Sequence, residues 1–196
     1  MSAVGSDASA ARPPERIDAG RILLRRWTPD DAPALFAAIA ESHAHLRPWM
    51  PWALEQPTLE GEAGFIERMA RAFEEGTEFA YGMFTPGDGA VVGACALHVH
   101  PGSPMLEIGY WVHVAHTGCG YATAAARALT AAALALPGIT SVEIHCDVAN
   151  VVSASVPRRL GYRLDRVVED RITAPGEAGP LMVWITGDDG SGTRGG

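Results

Sequence analysis

Leu106-Glu107-Ile108-Gly109-Tyr110-Trp111-Val112-His113-Val114, then Thr117-Gly118-Cys119-Gly120-Tyr121-Ala122-Thr123, is the stretch that decides the fold. The first run is apolar and aromatic, as a strand should be. The second opens an alanine-rich segment from Tyr121 to Leu136, a helix by composition. A strand, a glycine turn and a helix start in that order make an anion cradle. Glycines let backbone approach a ligand closely, and the first N–H groups of a helix, at its positive dipole end, suit phosphate. The segment therefore predicts binding of a phosphorylated cofactor.

Working outward, Ile22–Leu24 reads as a short strand, and Thr28-Pro29-Asp30-Asp31 as a helix start with cap and first-turn proline. Residues 58–73 form a second amphipathic helix, with Phe65, Ile66, Met69 and Phe73 on one side. Strands are expected over 79–84 and 91–99, joined by a Pro86–Gly89 hairpin turn, and over 105–114. Downstream, residues 141–148 alternate, with Val142, Ile144, Cys146 and Val148 on one side of a half-buried strand. A helix near 151–160 and strands over 162–172 and 181–185 complete a pattern of α+β with a mixed sheet of about seven strands. The expected organisation is a disordered segment over 1–16, one domain over 17–186 and a disordered tail over 187–196.

Composition narrows the function. At 196 residues and 47% hydrophobic, the chain can bury the core of one domain. Fifteen basic against 23 acidic residues give a net charge of −8, which argues against nucleic acid as partner. Cys95, Cys119 and Cys146 are widely spaced and suggest neither a disulfide framework nor a zinc site, in keeping with a reducing cytoplasm. His98, His100, His113 and His116 lack the acidic or Cys partners of a recognisable metal spacing. No signal peptide is visible, and the Ala/Leu segment is too short for a membrane span.

Three segments carry a resemblance. The glycine turn, Thr117 to Ala122, resembles the pyrophosphate loop of GCN5-related N-acetyltransferases (the GNAT superfamily), whose pattern is Gln/Arg-x-x-Gly-x-Gly/Ala. Gly120 and Ala122 match, while Thr117 stands where Gln or Arg is usual. Asn150-Val-Val-Ser153 with Leu160-Gly161-Tyr162 resembles the segment after that family's fifth strand. His45-Leu46-Arg47-Pro48-Trp49-Met50-Pro51-Trp52 is similar to an early segment of the RimJ/RimL branch, which acetylates ribosomal-protein N-termini. The likeness runs from about Arg21 to Trp184.

What the resemblance implies is a GNAT-like twisted sheet, bulged in the fourth strand and splayed between strands 4 and 5. It also implies acetyl-CoA as acyl donor without a metal. The acceptor is an amine: a peptide or protein N-terminus in the RimJ/RimL manner or, alternatively, a small molecule such as a polyamine, amino acid or antibiotic. A non-catalytic CoA-binding module is a third reading. The cofactor contacts would be backbone groups of Trp111, Val112, His113 and Val114, the loop Thr117, Gly118, Cys119, Gly120, Tyr121, Ala122 and Thr123, and Asn150 and Ser153. Many relatives form dimers, so a homodimer is an open expectation.

Individual residues admit two readings. Glu107 shares a strand face with Gly109 and Trp111 and suits a general base, or equally a solvated strand-edge charge. Ser153 suits a cofactor contact beside the reacting sulfur, or a helix cap. Pro157 stands where the family's general-acid tyrosine is common, so that acid is missing here. His45, Trp49 and Trp52 could line the acceptor cleft or anchor a Pro-rich loop. Cys119, at a helix start, is a weaker nucleophile candidate.

Overall fold

In this computed structural model, which describes residues 11–86 and 89–187, strand patterns fix most of the chain. The elements in order are β1 (Arg16–Asp18), β2 (Leu23–Arg26), α1 (Ala32–Leu46), α2 (Leu59–Glu75), β3 (Glu78–Phe84), β4 (Val91–Val99) and β5 (Met105–Val112). There follow α3 (Tyr121–Leu134), β6 (Ser141–Asp147), α4 (Val151–Leu160), β7 (Arg163–Glu169) and β8 (Pro180–Gly187). They build one eight-stranded sheet in the order β1-β2-β3-β4-β5-β6-β8-β7. Only the β5–β6 pair is parallel. The eighth strand is β1, too short and too polar at Arg16 and Asp18 to stand out in sequence.

Alternation along β5 assigns the faces. Leu106, Ile108 and Tyr110 share a core with Ala125, Ala126 and Leu129 of α3 and with Ala154 and Val156 of α4. Trp111 instead joins Leu35 and Ile39 of α1 and Ile66 of α2. Period two puts Glu107 and Gly109 on the face of Trp111. The alanines of α3 matter here: Ala125, Ala126 and Ala133 are fully buried, and their small side chains let the helix lie close on β4 and β5. Among the described residues no helix is long and apolar enough to cross a membrane.

β5 pairs with β6 only at Met105↔Ser141, Leu106↔Val142 and Glu107↔Glu143. Beyond Glu107 the strands part, which is the expected splay. The expected bulge is not on this strand: β5 runs in register with β4 from Leu106 to Val112, and among the described residues the register shifts fall at Met83/Phe84 and Leu164/Arg166. β5 also ends two residues early, because His113 and Val114 enter a short 3-10 turn.

Of the expected disordered ends, residues 1–10 and 188–196 lie outside the described residues, as do Gly87 and Asp88 of the expected hairpin turn. Residues 11–16 are tied down instead. The Tyr81 hydroxyl donates to Pro14 O at 2.9 Å, and Arg12 pairs with Glu74 at 3.2 Å.

Asp147 closes β6 and fixes the turns beside the splay. Its carboxylate accepts the N–H groups of Ala149 at 2.7 Å, Ala178 at 3.0 Å and Gly179 at 2.9 Å. Burial pushes this carboxyl up, but the three donors outweigh burial and hold it below the ordinary Asp value. Asp147→Asn should cost about 1–3 kcal/mol of unfolding free energy at neutral pH. A carboxyl lowered in the folded state stabilises above its unfolded pKa and loses that contribution as pH falls through the folded value. The gap between wild type and variant in urea unfolding should therefore close on acidification; a gap constant with pH would refute the role of the charge.

Candidate active site

The site has two sides joined through the splay. On the α3 side, the chain leaves β5, turns through Gly118 (φ 74°) and Gly120 (φ 80°), and enters α3. Both glycines are left-handed, a conformation that costs other residues about 1 kcal/mol or more. No side chain caps α3, whose N-cap is Gly120, so its first N–H groups face outward. Thr117, Gly118, Cys119, Gly120, Tyr121, Ala122 and Thr123 lie together in this turn and the first turn of α3. Two of them are committed elsewhere: the Thr117 hydroxyl donates to Val114 O at 3.1 Å, and the Cys119 N–H to His116 O at 3.4 Å. A cation that sequence reading missed stands beside the loop. Arg21, in the β1–β2 turn, donates to Cys119 O at 3.0 Å and lies 5.8 Å from the Tyr121 ring. Nothing local in sequence signals a partner 98 residues away.

In the slot itself the expected backbone donors need correcting. The His113 N–H donates to Val92 O at 2.9 Å, and the Val114 N–H to Ser42 Oγ at 3.0 Å, so neither is free. The His113 ring is buried, with Nε2 3.1 Å from Glu41. An antiparallel ladder alternates its donors, so Trp111 and Gly109 also turn toward β4. Tyr110 and Val112 then present N–H to the side that β6 has left, whereas the Ile108 N–H belongs to the last rung, Glu107↔Glu143. Of the four residues expected, only Val112 is so placed.

Across the slot stands the start of α4. Asn150 is its N-cap, accepting the Ser153 N–H at 3.1 Å. The Tyr110 hydroxyl donates to Ser153 O at 3.1 Å and lies 3.2 Å from Ser153 Oγ. Burial pushes the Tyr110 phenol well above its ordinary range, so it holds its proton. Burial likewise pushes the neighbouring Cys146 thiol up to about 11. Pro157 lies inside α4, away from the Asn150 cap.

On the α1/α2 side the slot opens into a cavity of about 870 Å³. Trp49, Trp52, Trp111 and Phe65 give it aromatic walls, and Trp52 meets Trp111 at 6.2 Å between ring centroids. Asn150, Ser153 and Tyr110 are among its lining residues, so the cavity reaches the splay. His45 is exposed on α1 and is not among the lining residues. Glu107 does line the cavity, with its oxygens 3.1 Å from His100 Nε2 and 3.4 Å from His145 Nδ1. It is therefore no solvated edge charge. His98 sits 3.2 Å from Glu78, whose hydrogen bond raises its pKa against an opposing effect of burial. Gly109 makes room for that ring, since a Cβ there would fall 2.8 Å from His98 Nε2.

Glu143 and His145 were missed in sequence although the signal was present. Placing Val142, Ile144 and Cys146 on the core face puts Glu143, His145 and Asp147 on the other, facing the cavity side. Sequence cannot show that β6 leans away just there.

Comparison with known proteins fits this geometry. The model of the acetyltransferase (GNAT) domain matches residues 21–163. The protein named "Putative ribosomal N-acetyltransferase YdaF" of Bacillus subtilis (strain 168) is 28% identical over 166 residues, 83% of this chain and 89% of its own. Among solved structures, the ribosomal L7/L12 alpha-N-protein acetyltransferase RimL in complex with coenzyme A superposes with a TM-score of 0.81 at 20% identity, covering 88% of this chain and 98% of its own. The microcin C7 self-immunity acetyltransferase MccE, in complex with acetyl-CoA and AMP, gives 0.81 at 19%, covering 92% and 99%. RimJ of Mycobacterium smegmatis gives 0.80 at 20%, covering 93% of each chain. With a glycine cradle, a splayed strand pair and a family match across most of its length, the chain belongs to the acetyltransferase (GNAT) family, the acyl-CoA-dependent N-acetyltransferases.

Proposed function

We propose that the chain transfers the acetyl group of acetyl-CoA to the α-amine of a protein or peptide N-terminus, by direct attack in a ternary complex. The observation that carries this reading is the cavity of about 870 Å³ that reaches Tyr110, Asn150 and Ser153 beside the β5–β6 splay and has room for a peptide end. The names of YdaF and RimL lend support for the acceptor.

In this reading the residues take the following roles, each supported by its place in the site. Gly118, Gly120 and the N–H groups of Tyr121, Ala122 and Thr123 receive the pyrophosphate, with Thr117 and Cys119 shaping the turn. The N–H groups of Val112 and Tyr110 meet the pantetheine arm and polarise the thioester carbonyl. Asn150 positions Ser153, and Ser153, backed by the Tyr110 hydroxyl, returns a proton to the departing thiolate. Glu107 takes the proton of the acceptor ammonium. Trp49, Trp52 and Trp111 hold the acceptor's chain by their faces. His113 and Val114 act by shaping the turn out of β5.

A second reading is a small-molecule amine acceptor. It is favoured by the carboxylates Glu62, Glu78 and Glu107 on the cavity wall and by the likeness to MccE. Assay of acetyl transfer to a diverse set of N-terminal peptides and to small amines separates the two. Modification of small amines alone refutes the peptide acceptor, and multiple turnovers with either refute a non-catalytic CoA-binding module.

Two variants test the site. Gly118→Pro forces φ near −65° where the loop needs +74°, and deletes a cradle N–H. It should weaken acetyl-CoA binding by at least about tenfold in calorimetric titration with the melting temperature preserved; unchanged affinity would refute the cradle. Glu107→Gln should lower kcat on the order of 10²-fold with little change in KM for acetyl-CoA. Wild-type kcat in that variant would remove Glu107 from the mechanism.

A further inference from the structure

The inner wall of the cavity holds a chain of ionisable groups of which the proposed mechanism uses only the first. Glu107 of β5 and Glu143 of β6 face each other at the last rung before the strands part. Two residues on, His145 stands on the same face of β6. Its Nε2 lies 2.6 Å from Glu143 Oε2, and its Nδ1 lies 3.4 Å from Glu107 Oε1. Glu143 is only 4% exposed and is held in turn by Arg166 Nη1 at 3.2 Å. Glu107 and His145 line the cavity, whereas Glu143 lies behind them.

The geometry sets the histidine's tautomer. A carboxylate paired with Arg166 accepts hydrogen bonds, so the Nε2 facing it carries the hydrogen. The neutral ring then presents the Nδ1 lone pair, and that lone pair faces Glu107 Oε1. A carboxylate oxygen and an imine nitrogen face to face repel unless a proton lies between them. Resting on the N-acetyltransferase reading, we infer that His145 is a catalytic residue that shares with Glu107 the proton taken from the acceptor ammonium. Glu143, fixed by Arg166, is the positioning residue that sets the ring's tautomer.

The step balances. The bound R–NH3+ gives one proton to the Glu107–His145 pair, and the freed lone pair forms the N–C bond to the thioester carbonyl. The C–S bond breaks with its electrons on sulfur. The second proton lost from nitrogen goes to the thiolate, so CoA–SH leaves, and the pair later releases its proton to water. Other charged groups facing the pair are His100, 3.1 Å from the second Glu107 oxygen, and the Glu78–His98 pair, whose His98 is the register partner of Glu107 on β4. Asp147, the remaining neighbour on β6, is committed to backbone N–H groups.

Two readouts test this on the full chain. In steady-state kinetics, His145→Gln should lower kcat about 10–100-fold with KM for acetyl-CoA within about twofold of wild type, part of the effect of a general base because Glu107 remains. The ascending limb of its kcat/KM profile against pH should also move. Glu143→Gln, which keeps the imidazole, should move the same limb with a smaller loss. Nitrogen-15 spectra of the histidine rings read the tautomer without turnover, and the Nε2–H form is expected at His145 in wild type. A His145 ring protonated at Nδ1 alone, or an active wild type with His145→Gln matching its kcat and pH profile, overturns the inference. A loss of activity with an unmoved pH limb overturns it too, by making the role structural. A wild type inactive toward every amine overturns instead the N-acetyltransferase reading, and this inference with it.

Discussion

Three rungs of parallel pairing between β5 and β6 hold the site open and hold the sheet together. Each strand has a longer antiparallel partner on its other side: β4 for β5 over Leu106–Val112, and β8 for β6 over all of Ser141–Asp147. Neither strand needs the other beyond Glu107, so they can diverge without either losing its place. The price of the gap is a few backbone donors on β5 left without a strand partner. Leaving such a group dry and unpaired costs about 1–3 kcal/mol. A ligand with acceptors spaced along an extended arm removes that cost on binding, and the gap is thereby a binding element as well as an opening.

The cavity side depends on the same divergence. Past the last rung, Glu107 meets His145, two residues beyond its register partner Glu143, and the ring of His98 lies over Gly109 instead of a side chain. The Trp52–Trp111 contact then closes the cavity from the α1–α2 connection. A methyl at position 109 would push His98 out of its pairing with Glu78 and into the space the acceptor needs.

The sequence made the strand-to-helix cradle legible because its signals are local: an aromatic run, two glycines and an alanine helix, all between Leu106 and Leu136. The splay entered through the family resemblance and not through any pattern in 105–114 or 141–148. The bulge came with it and proved unnecessary, since divergence from β6 alone frees the donors at Tyr110 and Val112. Choosing His113 and Val114 as donors failed because the strand ends at Val112, where Val92 O and Ser42 Oγ take those N–H groups. Arg21 was illegible for a different reason: β1 is three residues long, and its turn reaches the cradle only through the folded sheet. Glu107 was chosen by face alone, and pairings across strands made it a half-buried partner of two histidines.

The two faces at the splay differ in electrostatic character, and this bears on how one gap can serve two reactants. The α3 face offers the positive end of a helix and Arg21, which complement a polyanionic donor. The opposite face offers Glu62, Glu78 and Glu107, which complement a cationic amine, and burial raises the pKa of Glu62. A donor phosphate entering from the acceptor side would meet carboxylates, and an ammonium entering from the cradle side would meet N–H groups and a guanidinium. Arg68 also lines the cavity beside Glu62, so the acidic character of that face is carried by three carboxylates around one guanidinium. Under the proposed direct attack both reactants are bound at once, and faces of different character suit a polyanionic donor on one side and a cationic amine on the other. The net charge of −8 says nothing of this arrangement, because the arrangement lies in how charge is divided between the faces.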